Sequence, residues 1–348
     1  MIAKRSSLLS RSSLLLLVVL SGITRSAAAN DAVGTTLDPN HAKNGSVIRY
    51  LFSDLANNVS RSTVRILCDG EETILGVIVD DQGAILTKAS ELKGAIRCRF
   101  KDGRELPARK VAEDASFDLA LLQVDADGLI PIRWSKGKDP EVGRWSATPG
   151  IHGAPIAVGI ISVPRRSIPA EKAILGVSIR DTQLGPRVLQ VIEESAAEKA
   201  GLASGDRILS INGVNILSAA HLTEIVRGYP PETVVKLTYE RETREHELDV
   251  TLGAPIPSLL HPDSNAENIA RELSHRRADF PAVIQHDSVL DPSDCGGPLI
   301  DLKGNVIGLN IARAGRTGCY AIPAGELPKL IADLQKQSTA NISTDSAK

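Results

Sequence analysis

Cysteine is scarce in this sequence, with four in 348 residues, at positions 68, 98, 295 and 319. None sits in a Cys-x-x-Cys pair or beside two histidines, so a structural metal is not expected, and no motif calls for a cofactor. In an oxidising compartment four thiols permit zero, one or two disulfides. A surplus of either charge is missing too. Forty Lys and Arg against 42 Asp and Glu leave a net of −2, a balance that gives no reason to expect nucleic acid or an anionic membrane as partner. After the first 29 residues no apolar run approaches the roughly 20 residues of a spanning helix, so no membrane span is expected.

Those first residues, 1–29, read as a secretory signal. Lys4, Arg5 and Arg11 precede the unbroken apolar run from Leu14 to Leu20, and Ala27-Ala28-Ala29 supplies an A-x-A cleavage site. No Cys follows the run, so a lipid anchor is not expected there. Loss of Lys4, Arg5, Arg11 and Arg25 with the signal leaves 36 cations against 42 anions, a net of −6. The mature chain is expected to be secreted or periplasmic.

What is present is mostly β in pattern. After a polar stretch and an amphipathic helix expected over 47–55, short runs of about five residues follow one another. The first block comprises 63–68, 75–79, 84–87, 95–100 and 119–124, with turn signals at Asp69-Gly70, Asp81-Gln82-Gly83 and Lys101-Asp102-Gly103 between several of them. Many short, evenly spaced strands argue for a closed barrel. A second block covers 144–148, 156–163, 282–285, 298–301, 306–312 and 319–322, and about a hundred residues of different character interrupt it. That interruption carries Ile174-Leu175-Gly176-Val177, Ser195-Ala196-Ala197-Glu198-Lys199-Ala200-Gly201-Leu202, and Gly205-Asp206-Arg207-Ile208-Leu209-Ser210-Ile211-Asn212-Gly213.

These motifs closely resemble a PDZ domain of the bacterial kind, with a Leu-Gly-Val carboxylate loop, a helix and a hairpin. The hexapeptide Ser293-Asp294-Cys295-Gly296-Gly297-Pro298 resembles the nucleophile loop of trypsin-fold proteases, with sulfur in place of the hydroxyl. Together with Ser62-Thr63-Val64-Arg65-Ile66, Gly83-Ala84-Ile85-Leu86-Thr87, Asp118-Leu119-Ala120 and Ala321-Ile322-Pro323, it makes residues 60–325 resemble the HtrA (DegP-type) family of secreted trypsin-like proteases. The resemblance implies a mainly β fold, a trypsin-like double β-barrel with the PDZ domain inserted in its second barrel. The expected layout is 1–29 signal, 30–59 N-terminal segment, 60–128 first barrel, and 129–166 first part of the second. Then come 167–253 PDZ, 254–278 Pro-rich linker and short helix (265–276), 279–325 remainder of the second barrel, and 326–348 C-terminal helix and tail. In the family the PDZ follows the protease domain instead.

Carried over by position, the triad becomes Ser90, Asp118 and Cys295, and only Asp118 keeps the family's type. Serine attack needs an imidazole to take the proton and an aspartate to orient it. Ser90 cannot serve as that base, and an unassisted thiol near pKa ~8.5 is only a few per cent thiolate at pH 7. Neighbouring Asp294 pushes that pKa higher still. His286 and His152 are the candidates for a displaced base. The oxyanion donors fall on Ser293, Asp294 and Cys295, with Ser293 where Gly is usual. By the same resemblance Cys68 and Cys98 lie on neighbouring strands and form a candidate disulfide, and Cys319 with Cys295 a weaker one. The PDZ resemblance assigns peptide binding to Ile174, Leu175, Gly176 and Val177, with His221 and Ile225 on the groove-side helix.

Two functions follow. One is a catalytically degenerate protease homologue that binds free peptide C-termini or unfolded proteins for sensing or quality control; the other is an active endopeptidase working through Cys295. A homo-oligomer is compatible with the family, whose trimers form through N-terminal contacts.

Overall fold

The computed structural model describes residues 38, 40, 42–254, 273–315 and 317–345. The expected signal, the linker beyond Ala254 and the expected helix through residue 272 lie outside the described residues. Residues 273–276, which the sequence assigned to that helix, are not helical.

Two short helices, α1 (Ser46–Leu51) and α2 (Ser53–Val59), stand where one was expected, and a 3-10 turn, Ser60–Ser62, leads into the sheet. Six strands close the first barrel: β1 (Thr63–Cys68), β2 (Glu71–Ile78), β3 (Ala84–Lys88), β4 (Ile96–Arg99), β5 (Glu105–Asp114) and β6 (Leu119–Val124), in the order β1-β2-β3-β6-β5-β4. Its interior is filled by Val64, Ile66, Ile74, Ile85, Phe100 and Leu122 among others, with the Cys98 thiol between them. β-branched side chains suit a pleated half-buried surface, and each Ile taken fully out of water contributes about 2 kcal/mol.

A second closed barrel joins β7 (Trp145–Pro149), β8 (Pro155–Ile168), β15 (Phe280–His286), β16 (Pro298–Asp301), β17 (Val306–Gly315) and β18 (Gly318–Pro323). Strand β8 is long: its start pairs with β7 and its end with β15, as far as Ile168 opposite Phe280. Everything between β8 and β15 is therefore inserted between hydrogen-bonded neighbours, and the parent loop need not stretch.

The insert folds on its own core. Strands β9 (Val177–Thr182), β10 (Gly185–Val191), β11 (Arg207–Ile211), β13 (Val234–Arg241) and β14 (Arg244–Thr251) form one antiparallel sheet, with the two-residue β12 (Val214–Asn215) beside β11. Helices α3 (Ala196–Ala200) and α4 (Ala219–Arg227) cover it, over a core that includes Leu175, Val188, Leu222, Val226 and Leu237. An isolated bridge between Ile174 and Gly253 brings its entry and exit together. Finally α5 (Leu327–Asp345) returns to the first barrel, where Gln335 donates to Asp80 (2.9 Å) and Gln337 accepts from the Glu113 amide (3.3 Å).

All four cysteines are free, so the Cys68–Cys98 bridge expected from the resemblance is corrected. Strands β1 and β4 are indeed neighbours, but Cys98 stands opposite Ile66 and Cys68 opposite Ile96. The thiols are thus diagonal on one face, where Cα separations of about 7–8 Å exceed the span a disulfide favours.

Candidate functional site

Strand β3 delivers Lys88 at its end and Ser90 just beyond, and the loop before β6 delivers Asp118. The Ala89 amide bonds the Asp118 carbonyl at 2.8 Å, fixing the two segments together. The Asp118 carboxylate is 2 % exposed and fully engaged. It accepts from the Ser90 amide (2.8 Å) and the Ser90 hydroxyl (2.9 Å). It also makes a buried ion pair with the Lys88 ammonium. A lysine with no exposed surface, at the end of an otherwise apolar strand, thus holds the carboxylate where a protease would present an imidazole. The sequence reading gave Lys88 no role. Its signal was a single cation in an apolar run two residues before Ser90.

Cys295 follows a 3-10 turn, Pro292–Asp294. Gly296 after it has φ +86°, and a Cβ there would lie 2.0 Å from the Leu75 carbonyl oxygen, so only glycine fits. The loop is bonded on both sides: Leu75 N–H to Cys295 O (2.8 Å), and Gly296 N–H to Asn310 O (2.7 Å). Two of the three amides that would serve an oxyanion are turned elsewhere. Cys295 N–H donates to Pro292 O (3.1 Å), and Asp294 N–H to Asp291 O (2.9 Å). The Ser293 carbonyl accepts from Arg65 at 2.6 Å. Asp294 has its pKa raised by burial, partly offset by a hydrogen bond from the Asp291 amide and by the Arg65 guanidinium.

The Cys295 thiol has no exposed surface, and burial pushes its pKa up to about 11. The Lys88 charge opposes that rise and the Asp294 charge adds to it. His286 is itself buried on β15, with Nδ1 2.9 Å from the Ser288 hydroxyl, and in register with Cys319. His152 is exposed, in the loop after β7.

What covers Cys295 is the chain's own segment 273–279. Ser274, fully buried, has its hydroxyl 3.7 Å from Sγ. Its amide donates to Arg313 O (3.0 Å) and its hydroxyl accepts from Arg313 N–H (2.8 Å), so the segment pairs with β17. The Arg276 carbonyl accepts from Lys88 Nζ at 3.2 Å. Its guanidinium bonds the carbonyls of Ala115, Ser116 and Asp279, the last two at 3.0 and 2.6 Å. Ser274 and Arg276 were missed in the sequence because nothing local distinguishes them from linker.

In the insert, Gly176 (φ +83°) allows the loop to approach Ser195, whose Cβ would lie 2.2 Å from an added methyl. Among the described residues the Leu175 and Gly176 amides have no backbone partner, unlike that of Ile174, which is bonded to Gly253 O (2.8 Å). A groove of about 330 Å³ runs from this loop along Val177 and Ile179. Its helical wall is Ala219, Leu222, Thr223 and Val226, with Arg227 at the end. His221 and Ile225, expected on that wall, are not among its lining residues. At 100° per residue the groove-facing stripe starts at Ala219, two residues earlier than expected. His221 instead accepts from the Leu217 amide (3.3 Å), and Ile225 packs half-buried against the domain core.

Among the described residues no cluster of His, Cys, Asp and Glu could hold a metal ion, and no helix is long and apolar enough to cross a membrane.

Comparison with known proteins agrees with these two parts. Residues 75–190 match the trypsin-like peptidase domain, and residues 173–252 match the PDZ domain. The two matches overlap where the insert begins, and the segment carrying Cys295 lies beyond both. A probable periplasmic serine endoprotease, DegP-like, of Ectopseudomonas mendocina is 27 % identical over 263 residues, 51 % of this chain and 56 % of that protein. Its counterpart in Hahella chejuensis is 34 % identical over 305 residues, 59 % and 64 % of the two chains. This chain therefore spans between about half and two thirds of the length of these curated relatives. Among solved structures, the serine endoprotease from Yersinia pestis aligns with 58 % of this chain and 98 % of its own, at 18 % identity and a TM-score of 0.28.

Proposed function

We propose that this chain, a homologue of DegP-like serine endoproteases with a trypsin-like peptidase domain and a PDZ domain, is an exported pseudoprotease whose working part is the peptide groove. It belongs to peptide sensing or protein quality control, and its barrels act as a frame for the PDZ domain.

One observation carries this reading: the nucleophile position is a neutral, covered thiol. With a pKa of about 11, about one Cys295 in ten thousand is thiolate at pH 7. Asp118 is spent on Lys88 and Ser90, neither of which replaces imidazole as a base beside Cys295. The Cys295 amide is spent on Pro292. Acyl transfer needs a nucleophile, a base and an oriented donor for the developing oxyanion, and each is engaged otherwise. The PDZ groove, by contrast, is open, with two amides at its head that have no backbone partner among the described residues, the arrangement that captures a chain-end carboxylate. Export follows from the signal-like leader, in keeping with relatives described as periplasmic.

The test has two arms. Purified protein and its Cys295→Ala variant are compared on casein, and both are expected to leave it intact. Peptides with an apolar last residue are titrated as free acids and as C-terminal amides, and only the acids are expected to bind. Casein cleavage lost on Cys295→Ala and blocked by iodoacetamide overturns the pseudoprotease reading; equal binding of acids and amides overturns the use of the groove.

A further inference from the structure

A second recess lies on the first barrel, formed by the 3-10 turn at 60–62, the β4–β5 turn and the loop after β6. It has a volume of about 370 Å³, within the range of small-molecule sites. Its inner wall is apolar, with Ile78, Phe100 and Leu129 buried and Ile130 at the mouth 48 % exposed.

Its rim is cationic in a chain that is acidic as a whole. Arg61, Lys101 and Arg104 line it against one carboxylate, Asp102. That carboxylate is taken by Arg104, at 2.7 Å, and the same guanidinium reaches the Asp127 carbonyl (3.2 Å) and lies 5.4 Å over the Phe100 ring. Among the described residues Lys101 has only neutral acceptors: the Asn57 carbonyl (3.1 Å), the Asn57 side-chain oxygen and the Ser60 hydroxyl (2.6 Å). Arg61 has no hydrogen bond or ion pair among the described residues. The two charges repel each other: burial and then Arg61 hold the Lys101 pKa below its ordinary value. Folding alone gives no return for setting two uncompensated cations beside an apolar wall, whereas an anion between them relieves the repulsion.

We propose that this recess binds a small anionic amphiphile, its head group between Arg61 and Lys101 and its chain against Phe100, Leu129 and Ile130. The site is separate from the degenerate centre and from the PDZ groove, and it requires neither.

Titration calorimetry on the purified chain tests this with three probes: octanoate, 1-octanol and inorganic phosphate, each at low and at physiological ionic strength. Octanoate is expected to bind once per chain, to weaken with salt as an exposed charge contact does, and to bind tighter than either control. Arg61→Glu, at an exposed unpartnered position, should lower octanoate affinity by about tenfold or more without moving the unfolding midpoint. Ile130→Asp should lower it as well. Octanol binding as tightly as octanoate reduces the recess to an apolar crevice. Phosphate binding as tightly makes it an ion site only. Octanoate affinity untouched by Arg61→Glu overturns the assignment outright.

Discussion

Lys88 and Asp118 show how strongly a single buried side chain depends on its partner. Both are removed from water, and the pair is tolerated because the charges meet and Ser90 fills the remaining lone pairs. Lys88→Met leaves a carboxylate buried without a counter-ion, and should cost about 3–5 kcal/mol in urea unfolding. Adding Asp118→Asn to that variant should recover a large part, since the orphaned charge is then gone. The thiols make a second residue-scale prediction. Burial raises Cys295 to about 11 and Cys98 and Cys319 to about 12. A group whose folded pKa is raised stabilises the fold while protonated. That contribution is whole below the free-thiol value near ~8.5 and is lost as pH climbs through about 11 to 12. Urea midpoints should therefore fall across this alkaline window, and Cys295→Ala should make the fall shallower.

At the scale of elements, the segment 273–279 matters most. It pairs with β17, caps Cys295 and is pinned by the Arg276 guanidinium. Arg276→Ala removes that fan of carbonyl contacts, and Cys295 should then react faster with iodoacetamide in the folded protein, read by mass spectrometry. The same segment bears on rebuilding a protease. Ser90→His with Cys295→Ser recreates the residue types of a triad around Asp118, yet Lys88 still holds the carboxylate and Ser274 still covers the nucleophile. The double variant should stay inert on casein, because triad members act as a unit; activity from those two changes alone contradicts this account of the site. Strand β5 illustrates a different limit. Its sequence, Glu105 to Asp114, is largely charged and contains Pro107, so its alternation is weak and it did not read as a strand. It is one because β4 and β6 both pair with it and close the barrel.

For the whole molecule, the insertion between β8 and β15 sets what can be removed. Ile168 already faces Phe280 across that pair, so replacing 171–277 by a short flexible linker should leave both barrels folded, with cooperative unfolding retained. The same excision takes away Ser274 and Arg276, and Cys295 should become open to alkylation at a rate near that of a free thiol. Persistent protection in that variant means that the barrels themselves bury the sulfur.

The chain's own order of residues determined a good deal. Local patterns of period two and turn signals placed most strands, and resemblance carried by two compact motifs implied the two barrels, the inserted domain and the candidate positions Ser90, Asp118 and Cys295. Only the tertiary structure decided the rest. Cys68 and Cys98 lie on adjacent strands, but the register between strands is set by the sheet, and it puts them out of bridging range. Helix α4 was legible, yet the phase of its groove-facing stripe depends on where Ser218 caps it. The covering of Cys295 depends on contacts between residues 188 positions apart, Lys88 and Arg276, and 39 apart, Ser274 and Arg313. No local pattern encodes such meetings, since they form only when two barrels and an insert have been packed around the same buried charge.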